Sequence, residues 1–319
     1  ESPRWLTDSR SLLCPLVPDG RGPRPEASRV PAGPVIQENL GRTTPARTYQ
    51  DLLKDGHDEA LFEHFFTARL ALVDLDGQAT SLGEPGVLWR FDPSPDGEYV
   101  LVETIHRPFS YLVPASRFPE RIEIWDREGK VVRQIADLPL RDEIPIAFGS
   151  VAMGPRRVEW RADAPATLVW TEAQDGGDAG RDAEERDRLY VLPAPFADAP
   201  VPLVTLSLRY RGVRWGDGDL ALVEESWWRT RQLRTWRVRP DHPDAAAQRV
   251  FDRSFEDRYA DPGDPVTIAN RYGRRVIQRS EDGGVIFLIG QGASPEGDRP
   301  FFDRLDLESL ETERLFRSE

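Results

Sequence analysis

FDPSPDGEYVLVE at residues 91–103 sets the pattern from which the fold is read. An aromatic residue opens a strand, a tight polar turn follows, and an apolar strand climbs back. The same shape recurs as WLTDSRSLLCPLV at 5–17, VEWRADAPATLVWTE at 158–172 and VRWGDGDLALVEE at 213–225. Each copy is followed by a second hairpin: LALVDLDGQATSL at 70–82, RIEIWDREGKVVRQI at 121–135, RLYVLPAPFADAPVPLV at 188–204 and LRTWRVRPDHPDAAAQRVF at 233–251. Alternating apolar residues bounded by Gly, Asp and Pro turns are the signature of short antiparallel strands. Two hairpins make four strands, which is one blade of a β-propeller. A last partial copy, GVIFLIG at 284–290 then FFDRLDLESLETERLF at 301–316, brings the total to about five blades, within the range of known propellers.

The fold class is therefore all-β: a β-propeller of about five four-stranded blades with a small helical insertion. The strand starts Trp5, Phe91, Trp160 and Trp215 lie farther apart than the roughly 40–50 residues of a simple blade, so the excess belongs to insertions. The propeller occupies 1–319. Its two ends read as cut, as if the chain were an excerpt of a larger ring. The largest insertion spans about 18–68. PDGRGPRPEASRVPAGP is Pro- and Gly-rich and reads as irregular loop. TPARTYQDLLKDGHDEALFEHFFTARL reads as two short helices. Tyr49, Leu52 and Leu53 give the first an apolar side. Asp55 or Asp58 caps the second, with Ala60, Leu61, His64, Phe65 and Ala68 on one stripe.

Composition excludes several classes. The net charge of −13 leaves no basic surplus to neutralise phosphates, so neither nucleic acid nor an anionic membrane is an expected partner. No apolar run approaches the roughly 18–20 residues of a membrane span. Of 42 basic side chains only Lys54 and Lys130 are lysine, a bias that reflects base composition of the gene. Cys14 is the single cysteine and reads as a small core residue, so no internal disulfide forms.

No G-x-S-x-G nucleophile elbow occurs; ATSLG at 79–83 and GASPEG at 292–297 are near misses in the wrong context. His57 and His64 are seven apart, about 10.5 Å along a helix, too far to share one zinc. No glycine-rich phosphate loop is present. The acidic segment EAQDGGDAGRDAEERDR at 172–188 fails as an EF-hand loop from Asp175, because Gly177 and Arg186 fall where oxygen ligands belong. It reads as a mobile solvated loop. No cofactor or metal is implied, and among 55 acidic residues no glycosidase pair can be nominated.

One segment stands out: ETIHRPFSYLVPASRFPERIEIWD at 103–126. It packs His106, Arg107, Tyr111, Arg117 and Arg121 among aromatics and prolines between two strands. Such a stiff cationic connection suits reaching into a channel, and arginine forks hold carboxylates in bidentate fashion.

At this segment a resemblance becomes specific. PAGPVIQENLGRTTPARTYQDLLKDGHDEALFEH at 31–64, HRPFSYLVPASRFPERIEIWD at 106–126 and IPIAFGSV at 144–151 carry it in the first half. DAPATLVWTEAQDGGD at 163–178, FDRSFEDRYADPGDP at 251–265 and GASPEGDRPFFDRLDL at 292–307 carry it in the second. These resemble the β-propeller portion of prolyl-oligopeptidase-family serine peptidases, in the glutamyl endopeptidase-like branch. The resemblance implies a propeller that gates and positions peptide substrate for a C-terminal α/β-hydrolase domain of the same parent chain. That domain, with its serine, aspartate and histidine, is absent from this chain, which is then expected to be inactive alone. Cleavage after glutamate requires a cation near the substrate side chain. Arg107 is the first candidate, then Arg117, with Tyr111 as hydrogen-bond donor. The competing class is a stand-alone propeller that binds a protein or carbohydrate partner.

Overall fold

The computed structural model describes residues 2–27 and 48–319. They form two compact units. The first takes the chain up to Ile146, with Ser150–Pro155 and Pro195–Ala197; the second takes Ala147–Gly149, Arg156–Ala194 and Asp198–Glu319.

In the first unit, strands β1 (Arg4–Trp5), β2 (Ser11–Leu16), β3 (Thr67–Asp74), β4 (Ala79–Pro93), β5 (Tyr99–Ile105), β6 (Glu120–Asp126) and β7 (Val131–Leu138) pair in sequence order. β4 belongs to two meanders at once. Ala79–Val87 pairs with β3, and Val87–Pro93 pairs with β5. The hairpins close on aspartate. Asp74 accepts from the N–H groups of Asp76 and Gln78 at 3.0 and 2.8 Å, and Asp126 from those of Glu128 and Lys130 at 3.0 and 2.8 Å. A short carboxylate that satisfies its own turn explains why each polar turn in the repeat carries Asp. Leu6, Leu13, Leu70, Leu82, Phe91, Val100, Val102 and Trp125 fill the space between the two meanders.

The second unit holds three four-stranded sheets. The first is β8 (Arg156–Trp160), β9 (Thr167–Ala173), β10 (Asp187–Pro193) and β11 (Val201–Leu206). The next is β12 (Arg209–Asp217), β13 (Leu220–Trp227), β14 (Gln232–Val238) and β15 (Gln248–Ser254). In the third, β16 (Asp264–Pro265) pairs with β19 (Val285–Gly290), followed by β20 (Phe301–Asp306) and β21 (Thr312–Arg317). A small hairpin, β17 (Thr267–Ala269) with β18 (Arg275–Ile277), is inserted between β16 and β19. Tyr210, Trp215, Ala221 and Val223 pack on Val169, Leu189, Val191 and Leu206, and Leu220 and Leu222 on Ile286, Leu288 and Leu305. The strands of the repeated hairpins fall where their sequence places them, and the sheets are the blades of a β-propeller.

The structure differs from the sequence expectation in two places. The insertion shows one helix, α1 (Gly56–Phe66), among the described residues. Asp55 caps it, accepting from the N–H groups of His57 and Asp58 at 2.8 and 3.0 Å. Tyr49, Leu52 and Leu53 are not helical; Asp51 holds a left-handed φ of 55°, which an α-helix cannot contain. Ala68 lies in β3. The part of the insertion at 28–47 lies outside the described residues.

The second difference is the acidic segment 172–188. Its ends are not solvated: Asp175 and Arg186 are buried. Arg209 holds Asp175 through Nη2 at 2.8 and 2.7 Å and Asp187 through Nη1 at 2.9 Å. Arg186 adds a bond to Asp175 at 2.9 Å and lies 4.0 Å from the Trp227 ring centroid. Arg156 reaches Asp187 at 2.6 Å, and the Tyr210 N–H donates to Asp187 at 2.8 Å. Arg209 Nε also donates to the Gly149 carbonyl at 2.6 Å, which ties Ala147–Gly149 into this unit. Charged side chains, not a mobile loop, therefore join β12 to the β9–β10 connection. Burial pushes the Asp175 carboxyl up, but Arg209 and Arg186 more than offset this and hold it below its ordinary value.

Three predictions follow from these contacts. Gly129 has φ +80°, and a Cβ there would lie 2.0 Å from the Gly83 backbone N. Gly77 has φ +81° with nothing within 4 Å. Urea unfolding should show a loss of about 3 kcal/mol for Gly129→Ala and about 1 kcal/mol for Gly77→Ala. Arg209→Met removes one arginine from each of two buried carboxylates, leaving Arg186 on Asp175 and Arg156 on Asp187, and should cost about 3 kcal/mol in the same assay. The folded pKa of Asp175 lies below the unfolded value of about 3.9, so its contribution is complete above that pH and is lost as pH falls through the folded pKa. Melting below about pH 4 should therefore be steeper in the native chain than in Asp175→Asn.

Candidate functional site

The connection between β5 and β6 carries the three residues singled out by sequence. It is anchored on apolar packing. Phe109 and Phe118 stack with centroids 5.2 Å apart, and Phe62 of α1 meets them edge-on at 5.2 and 5.8 Å. Val87, Ile105 and Val113 complete this cluster, with Tyr49 and Leu53 packed against it. The helix is thus held against the connection by its own aromatic stripe. Beside it lies a cavity of about 430 Å³ lined by Leu61, Phe62, Phe65, Phe66, Val113 and Phe118.

Arg107 leaves this cluster and spreads its fork over α1. Nε and Nη2 donate to the two Glu63 oxygens at 2.8 and 2.9 Å, and Nη1 donates to Glu59. Its guanidinium carbon lies 4.9 Å from the Phe109 centroid. Glu63 first, then Glu59, raise its pKa above the ordinary arginine value. Tyr111 belongs to the same group: burial, then Glu59, raise the pKa of its phenol, which stays protonated. Arg117 is not brought to Glu59. Its guanidinium lies 5.6 Å from the Tyr49 centroid, and Nη1 is 3.5 Å from the Arg141 carbonyl. Two of the three predicted residues therefore converge, on a site where one guanidinium faces two carboxylates.

Glu59 and Glu63 are the partners that sequence reasoning missed. The available signal was their i,i+4 spacing, which puts both carboxylates on one side of a helix. His106 bridges the Arg107 carbonyl and Asp137, at 2.7 and 2.8 Å, and so fixes the start of the connection.

A second polar surface lies in the other unit, on the first strands of its sheets. Arg157 Nη1 donates to the Arg211 carbonyl, which brings β8 beside β12. Arg214 reaches Asp264 at 2.5 Å, which brings β12 beside β16. Arg211, Arg214, Arg253, Asp261, Asp264 and Phe301 line a cavity of about 870 Å³. Among the described residues no three His, Cys, Asp or Glu side chains are grouped as metal donors. No helix among them is long and apolar enough to cross a membrane.

Comparison with known proteins gives the relationship. A protein of Oryza sativa subsp. japonica named "Probable glutamyl endopeptidase, chloroplastic" is 43% identical over 321 residues, covering 99% of this chain. Its namesake in Arabidopsis thaliana is 43% identical over 326 residues, covering 100%. The chain spans 34% of the length of each of these relatives. No protein-family model matches. Among solved structures, the β-propeller domain of the Trilobed protease from Pyrococcus furiosus superimposes with a TM-score of 0.42 at 12% identity, over 78% of this chain and 64% of that one. With 43% identity sustained from end to end, and with the motifs at 106–126, 163–178 and 251–265 inside the matched span, the chain is related over its whole length to proteins named glutamyl endopeptidase.

Proposed function

We propose that this chain is the non-catalytic propeller of a serine peptidase that cleaves peptides after glutamate, and that it gates and positions the substrate. The observation that carries the reading is the full-chain identity to one third of proteins named glutamyl endopeptidase. The chain contains no G-x-S-x-G string on which a hydrolase nucleophile could stand. The partner in this reading is an α/β-hydrolase domain elsewhere in the parent chain, which supplies the serine, aspartate and histidine. There the reaction is acyl transfer through an acyl-enzyme. The propeller's share is to exclude folded proteins and to hold a peptide by groups away from the scissile bond, which acts on rate only where it favours a productive pose.

Arg107, Tyr111 and Arg117 enter as a substrate-side wall. Arg107 is half-exposed, so a substrate carboxylate can reach it, but only in competition with Glu59 and Glu63. Tyr111 offers its phenol from the same side. Arg117 contributes its cation over Tyr49.

The test uses two proteins: the 319-residue chain and the full-length parent. The parent should hydrolyse a chromogenic glutamyl peptide, and the chain alone should not. Hydrolysis by the chain alone, or a parent indifferent to glutamate, sinks the reading. In the parent, Arg107→Ala should raise KM for glutamyl substrates severalfold with little change in kcat. Unchanged kinetics would remove Arg107 from the substrate wall.

A further inference from the structure

Arg157 is placed unlike the other arginines on the first strands of the second unit. The pairing of β8 with β9 breaks register between Arg156 and Glu159, and Arg157 lies inside that break with φ 53°. A bulge of this kind re-aims a side chain, and a left-handed arginine persists only where its surroundings hold it there. The break separates two adjacent cations. Arg156 turns in to the buried carboxylate of Asp187, while Arg157 is exposed.

Its surroundings hold it at two points. Nη1 donates to the Arg211 carbonyl, and the guanidinium carbon lies 5.7 Å from the Tyr210 ring centroid. Glu159, two residues on, is engaged by the Tyr210 hydroxyl. Among the described residues Arg157 has no carboxylate partner. The contrast with its neighbours is direct: Arg211 has Glu224 at 3.8 Å, Arg214 has Asp264 at 2.5 Å, and Arg107 carries two carboxylates. With Nη1 anchored, the Nε–Nη2 edge of Arg157 keeps the parallel donors that match a carboxylate.

We infer that Arg157 receives the carboxylate of an acidic side chain in a bound polypeptide, oriented by the Arg211 carbonyl and the face of Tyr210. The inference rests on the proposed function and adds to it the cation that needs no exchange of partners to meet glutamate. Arg157 is a specificity residue here. It takes no part in bond cleavage.

The test is calorimetric binding of the 319-residue chain to a blocked peptide, acetyl-Ala-Glu-Ala-Ala-amide, and to its glutamine counterpart. The native chain should prefer the glutamate peptide about tenfold, in the range of a charge-assisted bidentate bond. Arg157→Gln should abolish the preference. Arg157→Gly should abolish it too while keeping or raising the melting temperature, because glycine accepts the positive φ; this separates lost binding from lost folding. Equal affinity for both peptides, no binding of either, or a preference that survives Arg157→Gln overturns the inference. Glutamyl cleavage by the full-length parent that is unaffected by Arg157→Gln overturns it while the proposed function stands. A parent that does not cleave after glutamate defeats the proposed function itself.

Discussion

The second unit is organised around one buried guanidinium. Arg209 binds Asp175, Asp187 and the Gly149 carbonyl, and all three charged side chains are withdrawn from water. Burying a charge is costly unless its lone pairs and protons are all met. Here they are met from several elements: Arg186 and Arg156 complete the carboxylates, and the Tyr210 N–H takes the last Asp187 oxygen. Such a cluster tolerates few alternative arrangements, because any slip of β12 against β10 leaves an unpaired ion. That constraint fixes the register in which β12 presents Tyr210 and Arg211, and through the Arg211 carbonyl it fixes Arg157.

The same chemistry used at the surface has the opposite consequence. Arg107 is bound by Glu59 and Glu63, so its charge is spent on holding α1 to the β5–β6 connection. A substrate carboxylate reaches Arg107 only in competition with these two. An exposed guanidinium with a backbone carbonyl and an aromatic face for company keeps its charge available. The distinction between a structural and a receptive arginine thus lies in partners, not in residue type. In a chain with 55 acidic residues against 42 basic ones, a cation without a carboxylate partner is the less expected outcome.

Much of the fold was legible. RIEIWDREGKVVRQI reads as a hairpin because its alternation and its aspartate turn act within a few residues, and β6 and β7 lie there. Asp55 was legible as a cap for α1 for the same reason. The stretch with Tyr49, Leu52 and Leu53 was misread because an apolar side is shared by a helix and by an irregular chain packed on Phe109 and Phe118; the left-handed Asp51 decides between them. Asp175 was misread because carboxylates beside glycines look solvated when their partner, 34 residues away, is not visible.

The sequence by itself determined the strands, their turns, the absence of a nucleophile elbow in this chain and its relationship to proteins named glutamyl endopeptidase, since all of these depend on residue order over short spans or on long motifs. Tertiary structure alone decided which of the 42 basic side chains are neutralised. An ion pair forms between groups that folding brings within about 4 Å, whatever their separation along the chain. Arg107 lies 44 residues from Glu63, and Arg157 lies 54 from the carbonyl that orients it. No local pattern encodes those distances; the packing of one sheet on the next does.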